Sequence, residues 1–435
     1  MGQCLPFRLV VRRSIVFDPG YLILSRSKAM TIVLQGGMVI DGRGSEPVRR
    51  GDVIIEGERI KGVRESQSWD KALLDDPETH VIDCTGKTVL PGMFNVHEHF
   101  DNRHGSGSFQ ERAAQSIPWL VLRGARNALL DLTEGVTSVR DVGAKGGTNL
   151  IMRDAINAGL ILGPRVTACG SPIAMTGGHG WQICIEADGP DTVRRAARQL
   201  LKEGADFIKL MASGGYVHAG QDQPWSPQFT IEEMRAGFEE ARKAGKKTTV
   251  HAHPAAAVIQ AVEAGVDCIE HGILMDDQAR GLLAERQVFF VPTIAELAVI
   301  AERGAAFGRP AWMKEIYQKA LDRHLENVRA CVEAGVRMAV GTDVIGKQVE
   351  EMSLMAEAGL NNMDVLVAAT KHGAEVCGVL HERGTLEEGK LADIIVVNGD
   401  PLVRMAHITN VEFVFKGGTL HRPEALRSAI GRVPL

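Results

Sequence analysis

The chain has 435 residues, 45% of them hydrophobic and 24% charged, so it is long enough for one large domain and a smaller second one. Its formal net charge of -5 comes without a basic excess or a run of like charges, which argues against a nucleic-acid partner. Seven singly spaced cysteines without a Cys-x-x-Cys pair are typical of free thiols in a reducing compartment, so we expect a cytoplasmic protein.

The first 29 residues are predicted to be a disordered extension. Their apolar segment, residues 5–11, is interrupted by Arg12 and Arg13 and followed by Asp18, so it lacks the continuous apolar run of a signal peptide. A weak targeting peptide is the alternative. No run elsewhere is long and apolar enough to cross a bilayer, so we expect no membrane partner.

Two stretches at opposite ends of the chain predict one small β domain. Residues 30–90 alternate apolar and polar positions with glycine punctuation, a pattern typical of half-buried antiparallel strands. Residues 385–435 contain two further strand-like segments, 392–397 and 411–415. Because neither stretch is large enough to enclose a core alone, we predict that together they form a β-sandwich domain.

Residues 91–384 repeat one unit, in which a helix ends at a glycine and an apolar strand follows directly. Glycine tolerates the left-handed conformation beyond a helix end, and strands apolar throughout are typical of parallel sheets covered on both faces. With the opening strand, eight such strands predict an α/β fold of the (β/α)8 TIM barrel type. A doubly wound open sheet is the alternative, although no Gly-x-Gly-x-x-Gly turn follows the first strand. The seven later strands are predicted at residues 137–139, 166–168, 207–210, 248–250, 268–269, 288–291 and 338–340.

Side chains suited to metal binding stand at the carboxyl ends of these strands, where TIM barrels gather their catalytic groups. His97 and His99 are spaced i, i+2, so on a strand both imidazoles project from one face. The residues at the later strand ends are Arg140, Asp141, Lys209, His251, His253, His271 and Asp343.

Lys209 is the most informative of them, because strand alternation directs it into the barrel if Ile208 and Leu210 face the helices. A buried ammonium is costly, so the lysine is expected to be neutral, paired or chemically altered. A neutral amine can take up CO2 to become a carbamate, an anionic ligand able to bridge two cations. An ion pair with Asp141 or Asp343 is the alternative.

With these residues in view, the chain resembles the amidohydrolase superfamily, within it the prolidase-like branch of Xaa-Pro dipeptidases, related carboxypeptidases and ochratoxin-type amidases. The resemblance covers residues 30–423. It is carried by Leu90-Pro91-Gly92 before His97-x-His99, Ser138-Val139-Arg140-Asp141, Gly177-Gly178-His179-Gly180, Phe207-Ile208-Lys209-Leu210-Met211, His251-Ala252-His253, Ile269-Glu270-His271-Gly272, Gly341-Thr342-Asp343 and Gly389-Lys390-Leu391-Ala392-Asp393.

The resemblance implies a centre of two divalent metal ions. Imidazole and carboxylate ligands suit zinc, and manganese, cobalt and iron are left open. A carbamate on Lys209, formed from CO2, and a hydroxide would bridge the ions. The hydroxide would attack an amide carbonyl, and Asp343 would pass its proton to the leaving amine. The implied ligands are His97, His99, Lys209, His251, His271 and Asp343.

Four further residues are assigned to catalysis or substrate binding. His179, in a glycine-rich loop, is expected to stabilise the tetrahedral oxyanion, and His253 to act beside the metals or on the substrate. Arg140 is expected to hold a substrate carboxylate, with a structural pair to Asp141 as the alternative. Relatives tend to carry a tyrosine after strand 4, where Tyr216 is the nearest candidate.

The predicted function is hydrolysis of an amide or peptide bond next to a free carboxylate, in a dipeptide, an N-acyl amino acid or an ochratoxin-type amide. The partner is thus a small molecule, and a homo-oligomer is left open. The alternative is a cyclic-amide hydrolase or deaminase of the imidazolonepropionase type, against which the bridging Lys209 argues. A scaffold without catalysis would have lost ligands, and the motifs retain them all.

Overall fold

A computed structural model describes residues 30–66, 76–102, 108–216 and 222–430. The predicted extension, residues 1–29, lies outside these ranges. None of the helices within them is both long enough and apolar enough to cross a membrane.

Strands from the two ends of the chain form one eight-stranded sheet. Its order is β17-β16-β15-β5-β1-β2-β3, with β4 paired to β1. The two ends meet where β5 and β15 pair antiparallel, with Leu90 opposite Ile395. The strands are β1 (Thr31–Val39), β2 (Val48–Glu56), β3 (Arg59–Glu65), β4 (Thr79–Asp83), β5 (Lys87–Pro91), β15 (Ile394–Asn398), β16 (Val411–Lys416) and β17 (Thr419–His421).

The inserted segment contains two parallel sheets, in the orders β6-β7-β8 and β10-β9-β11-β12-β13-β14. The longer strands are buried along almost their whole length, as apolar strands covered on both faces must be. The strands are β6 (Met93–Glu98), β7 (Val136–Asp141), β8 (Arg165–Ala168), β9 (Ile173–Ala174), β10 (Ile185–Glu186), β11 (Phe207–Met211), β12 (Lys247–Pro254), β13 (Cys268–Leu274) and β14 (Phe289–Val291).

The predicted eighth strand, residues 338–340, is shorter than expected. Met338 forms a single parallel bridge with Phe290, and Val340 accepts a hydrogen bond of 2.9 Å from the Val96 N–H. Beyond it the chain turns toward β6, because the N–H groups of residues 342 and 343 both donate to the His97 carbonyl. The segment therefore links β14 to β6 without extending into a regular strand.

Helices follow most of the parallel strands, and several end at a glycine as predicted. Gly265, at the end of α6, has φ of 94°, the left-handed conformation expected of such a cap. The helices are α1 (Phe109–Ala114), α2 (Ile117–Thr133), α3 (Thr148–Asn157), α4 (Pro190–Lys202), α5 (Ile231–Lys243), α6 (Ala255–Ala264), α7 (Asp277–Arg286), α8 (Ile294–Arg303), α9 (Met313–Glu333), α10 (Gln348–Glu357), α11 (Asn362–Val367), α12 (Gly373–Val376) and α13 (Pro423–Ile430).

Candidate active site

The predicted site residues, with the exception of Arg140, line one cavity at the carboxyl ends of the parallel strands. They come from separate elements: the end of β6, the ends of β11 to β13, and the loops that follow β9, β11 and the 338–340 segment. These cavity-lining residues are His97, His99, His179, Lys209, Tyr216, His251, His253, His271 and Asp343.

His97 and His99 turn the same ring nitrogen toward Asp343. Their Nδ1 atoms are engaged elsewhere, 2.8 Å from Glu270 Oε2 and 2.6 Å from the Gly143 carbonyl. The Nε2 atoms lie 3.5 and 3.7 Å from the Asp343 carboxylate. Partners that hold Nδ1 and leave Nε2 free are typical of metal-binding histidines.

His251 and His271 lie against this group, and each is held by a hydrogen bond to one ring nitrogen. In His251 that atom is Nε2, which lies 3.2 Å from the Gly214 carbonyl. The Nδ1 atom of His271 is 2.8 Å from the Thr293 hydroxyl, and the two histidine rings are 4.5 Å apart. Burial, reinforced by nearby positive groups, lowers the pKa values of both imidazoles well below their usual range. They are therefore neutral at pH 7, the form that binds metal. Ligand atoms of His97, His271 and Asp343 all lie within 4.8 Å of one another.

The backbone around the cavity is strained. Three residues around the cavity have positive φ although they are not glycine: 71° at His271, 53° at Thr293 and 59° at Asp343. Such conformations persist only where surrounding contacts enforce them, and they cluster at functional sites. At His271 the turn lets consecutive side chains, Glu270 and His271, both approach the His97 ring.

Lys209 projects into the cavity from β11 and is only 2% exposed. The alternation of side chains along the strand thus directs it inward, as predicted. Burial lowers the pKa of its ammonium group, although the charges of Glu270 and Asp343 oppose the shift. An amine with a lowered pKa spends more time neutral, which is the form that reacts with CO2.

Arg140 does not line the cavity, which corrects its predicted role. Its guanidinium donates to Glu270 Oε1 at 2.5 Å and to the Val96 carbonyl at 2.6 Å. The alternative pair with Asp141 is also wrong, because Asp141 accepts from the N–H groups of Phe100 and Gly143 instead. Arg140 therefore serves as the ionic partner of a buried glutamate outside the cavity lining.

Glu270 links this ion pair to the histidine cluster through His97. Its carboxylate accepts from Arg140, from the Thr249 hydroxyl and from His97 Nδ1. Burial acts against ionisation, but the Arg140 charge and the His97 contact hold the pKa of Glu270 far below its usual range. The sequence motif contained Glu270, but its partners are distant along the chain and could not be read from it.

His179 is oriented by a carboxylate that the sequence did not reveal. Its Nδ1 atom hydrogen bonds to Asp222, which also accepts from the Gln228 amide at 3.1 Å. The imidazole stacks on His251 with ring centroids 4.2 Å apart. With Nδ1 fixed, Nε2 is the atom available to a bound molecule.

The remaining wall combines Tyr216 and His253 with three residues that no sequence motif indicated, Glu296, Arg309 and Tyr317. Tyr216 packs edge-on against His253, with centroids 5.2 Å apart, and approaches Tyr317 at 6.1 Å. Glu296 and Arg309 also line the cavity. Burial and the Asp343 charge hold the pKa of Glu296 well above its usual range. Glu296 lies in α8, Tyr317 in α9 and Arg309 between the two helices, at no regular spacing from the histidine motifs.

Comparison with known families identifies the fold to which this site belongs. The model of the amidohydrolase family matches residues 88–421, a range that contains the entire cavity. The chain belongs to the amidohydrolase family. It is a hydrolase that acts on amide C–N bonds, and its mixed α/β fold is that of its relatives in this family.

This amidohydrolase resembles enzymes of the branch that the sequence motifs indicated. It is 30% identical to ochratoxinase of Aspergillus niger over 442 residues, which cover 92% of this chain and 88% of the relative. A solved Xaa-Pro dipeptidase with methionine in its active site is 31% identical with a TM-score of 0.81, covering 90% of this chain and all of the other. The solved A. niger ochratoxinase also has a TM-score of 0.81, at 26% identity, over 91% and 96% of the two chains.

Proposed function

We propose that this amidohydrolase uses two divalent metal ions to hydrolyse an amide or peptide bond next to a free carboxylate. Dipeptides, N-acyl amino acids and ochratoxin-type amides form the proposed substrate class. The proposal is carried by the convergence of four buried imidazoles, Lys209 and Asp343 on one cavity. The similarity to a Xaa-Pro dipeptidase and to an ochratoxinase supports the substrate class.

The donors present fit two such ions. The neutral imidazoles and the Asp343 carboxylate are the ligand types that zinc prefers, and the Nδ1 partners of His97, His99 and His271 fix their rings. We propose one ion at His97, His99 and Asp343 and a second at His251 and His271.

We propose that Lys209 carries a carbamate, whose oxygen atoms would serve as ligands for both ions. The neutral amine nitrogen attacks the carbon of CO2 and loses one proton, which leaves an N-carboxylate with two oxygen atoms. Burial favours this reaction because it disfavours the competing ammonium. The carbamate would also place an anion, in place of a buried cation, beside the positively charged ions, which is a more favourable arrangement.

Divalent ions bound here would polarise a carbonyl group and lower the pKa of water toward neutrality. The protein supplies the remaining groups. We propose that Asp343 accepts a proton and returns it to the departing amine nitrogen. His179, oriented by Asp222, would donate a hydrogen bond from Nε2 to the oxygen that becomes negatively charged. His253 and Tyr216 would contact the substrate, since they pack together on the cavity wall.

The domain organisation belongs to the same proposal. We propose that the parallel strands and their helices, residues 91–384, form a closed (β/α)8 barrel. The hydrogen bonds from the 338–340 segment to β14 and β6, together with the Asp206 N–H bond of 2.8 Å to the Ala168 carbonyl, support closure. Residues 30–90 and 385–435 would form the small β-sandwich domain, supported by the pairing of β5 with β15.

Metal analysis combined with a hydrolysis panel tests the proposal. The panel contains dipeptides, N-acyl amino acids, an ochratoxin-type amide and cyclic amides, each assayed with zinc, manganese and cobalt. We expect two metal ions per chain and cleavage of the acyclic amides. One ion per chain with ring opening or deamination would instead support the imidazolonepropionase-type alternative, and a protein without metal or turnover would contradict both.

A further inference from the structure

Arg309 is a cavity-lining arginine whose side chain forms no hydrogen bond with any other described residue. Its Nε atom is buried and unsatisfied. Burying a guanidinium donor without an acceptor is costly, so a donor of this kind at the wall of a cavity is available to an acceptor on a bound molecule. The other arginine of the cavity, Arg112, also has a buried Nε atom without a partner, but its terminal nitrogen already donates to Asp101 and, at 2.8 Å, to the Gly143 carbonyl.

The position of Arg309 connects it to the proposed reaction centre through a continuous wall. Arg309, Glu296 and Tyr317 line the same cavity, and the positive charge of Arg309 opposes the rise in the pKa values of the other two side chains. The ring centroids of Tyr317 and Tyr216 are 6.1 Å apart, and those of Tyr216 and His253 are 5.2 Å apart. A molecule bound along this wall would present one end to the histidines and the other to Arg309.

The segment that carries Arg309 is packed in place. The Arg309 N–H donates to the Gly304 carbonyl at 3.0 Å, which closes the turn between α8 and α9. A side chain fixed at its backbone loses less conformational freedom on binding a ligand than one on a loose loop, so its contacts contribute more to affinity.

We propose that Arg309 binds the free carboxylate of the substrate and thereby selects amides of amino acids over neutral amides. A guanidinium presents two parallel N–H donors that match the two oxygens of a carboxylate, and this pairing is stronger in a cavity shielded from water. The assignment gives Arg309 the role that Arg140, bound to Glu270, cannot perform. It rests on the proposed amide hydrolysis at the same site.

Matched substrates that differ in one charge test this role. N-acetyl-L-methionine carries the carboxylate, and N-acetyl-L-methioninamide replaces it with a neutral group of similar size; acetate release reports cleavage of the same bond in both. The variants are Arg309→Gln, which removes the charge, and Arg309→Lys, which keeps the charge but loses the paired donors. Arg303→Gln is the control, because Arg303 lies at the exposed end of α8 and pairs with Glu350 on the surface.

Loss of a charge-assisted hydrogen-bonded pair is expected to lower kcat/KM for the acid about 10- to 100-fold in Arg309→Gln, mainly through KM. The amide should change less than about threefold in the same variant, so the preference of the wild type for the acid should disappear. The acid-to-amide preference of Arg309→Lys should lie between those of the wild type and Arg309→Gln. Arg303→Gln should keep the preference of the wild type.

Three results separate the outcomes. Equal losses on acid and amide in Arg309→Gln, or a wild type without preference for the acid, overturn the assignment of Arg309 while amide hydrolysis stands. Failure of the wild type to release acetate from either compound, or to cleave any acyclic amide of the panel, overturns the proposed function and with it the carboxylate role. If Arg309→Gln does not fold, as judged by its thermal unfolding midpoint, the acid-to-amide ratio of Arg309→Lys decides: an unchanged ratio overturns the assignment.

Discussion

Replacing Glu270 with glutamine should damage both the stability of the protein and its metal site. The substitution keeps the size of the side chain and removes one negative charge. In the structure, Oε1 accepts from Arg140 at 2.5 Å and from Thr249, and Oε2 accepts from His97 Nδ1 at 2.8 Å. An amide has only one oxygen, so its NH2 group must face a donor whichever way it is turned.

The expected cost follows from the charge that is left behind. Arg140 is 2% exposed, and removal of one partner of a buried ion pair typically costs about 3–5 kcal/mol of the free energy of unfolding. If the amide oxygen stays on Arg140, its NH2 group meets His97 Nδ1 and drives the imidazole proton to Nε2, the atom that faces Asp343. Metal affinity should then fall about 10- to 100-fold, as it does when such supporting partners are lost.

Urea unfolding of the metal-free protein measures the first effect, and titration with zinc measures the second. Separating the two matters because bound metal itself stabilises the folded state. Glu315→Gln is the matched control: it removes the same charge from an exposed pair with Lys319, and its unfolding should match the wild type. The double variant Arg140→Met/Glu270→Gln should recover part of the stability, since the unpaired charge is gone. A Glu270→Gln protein as stable as the control, with unchanged zinc affinity, would refute the reasoning.

Three other changes have defined outcomes. Lys209→Ala should reduce the metal content below two ions per chain in elemental analysis, and full occupancy would rule out the carbamate bridge. His179→Asn should lower kcat about 100-fold with little change in zinc affinity. Asp222→Asn should lower kcat less, because this substitution disturbs only the orientation of the His179 ring. Equal activity of both variants and the wild type in steady-state assays would exclude His179 from the reaction. Burial raises the pKa of Glu351 to about 8, above its usual value of 4.5. The folded protein therefore holds this proton more tightly than the unfolded chain, and the free energy of unfolding falls as the pH rises from about 4.5 to about 8. Glu351→Gln should remove that part of the pH dependence in urea unfolding at pH 5 and pH 8, and parallel pH curves for variant and wild type would contradict the assignment.

The residues proposed to bind metal could be placed in the cavity from the sequence because their signals are local. His97 and His99 share a face through the i, i+2 spacing of a strand, and Lys209 is directed inward by the same alternation. Each such signal depends on a few neighbouring residues. The structure therefore places these side chains on one cavity, as expected from the ends of parallel strands.

The remaining contacts were not predictable because they join distant segments or break the regular pattern. Arg140 was assigned to the substrate, but its partner Glu270 lies 130 positions further along the chain. At His271 the φ of 71° breaks the alternation that would have placed Glu270 and His271 on opposite faces. Asp222 and Arg309 lie in connecting segments, where neither helix nor strand spacing indicates the direction of a side chain.

The junction between β5 and β6 has a practical consequence for shortened forms of this protein. Only Gly92 separates the two strands, its N–H donates to the Asp393 carbonyl at 2.9 Å, and an added Cβ there would lie 2.1 Å from the Thr137 hydroxyl. Asp393 in turn pairs with Arg165 at 2.8 Å. Cutting the chain after α12 would thus remove the partner of β5, expose one edge of the strand that leads directly to β6 and His97, and leave the Gly92 N–H without its acceptor.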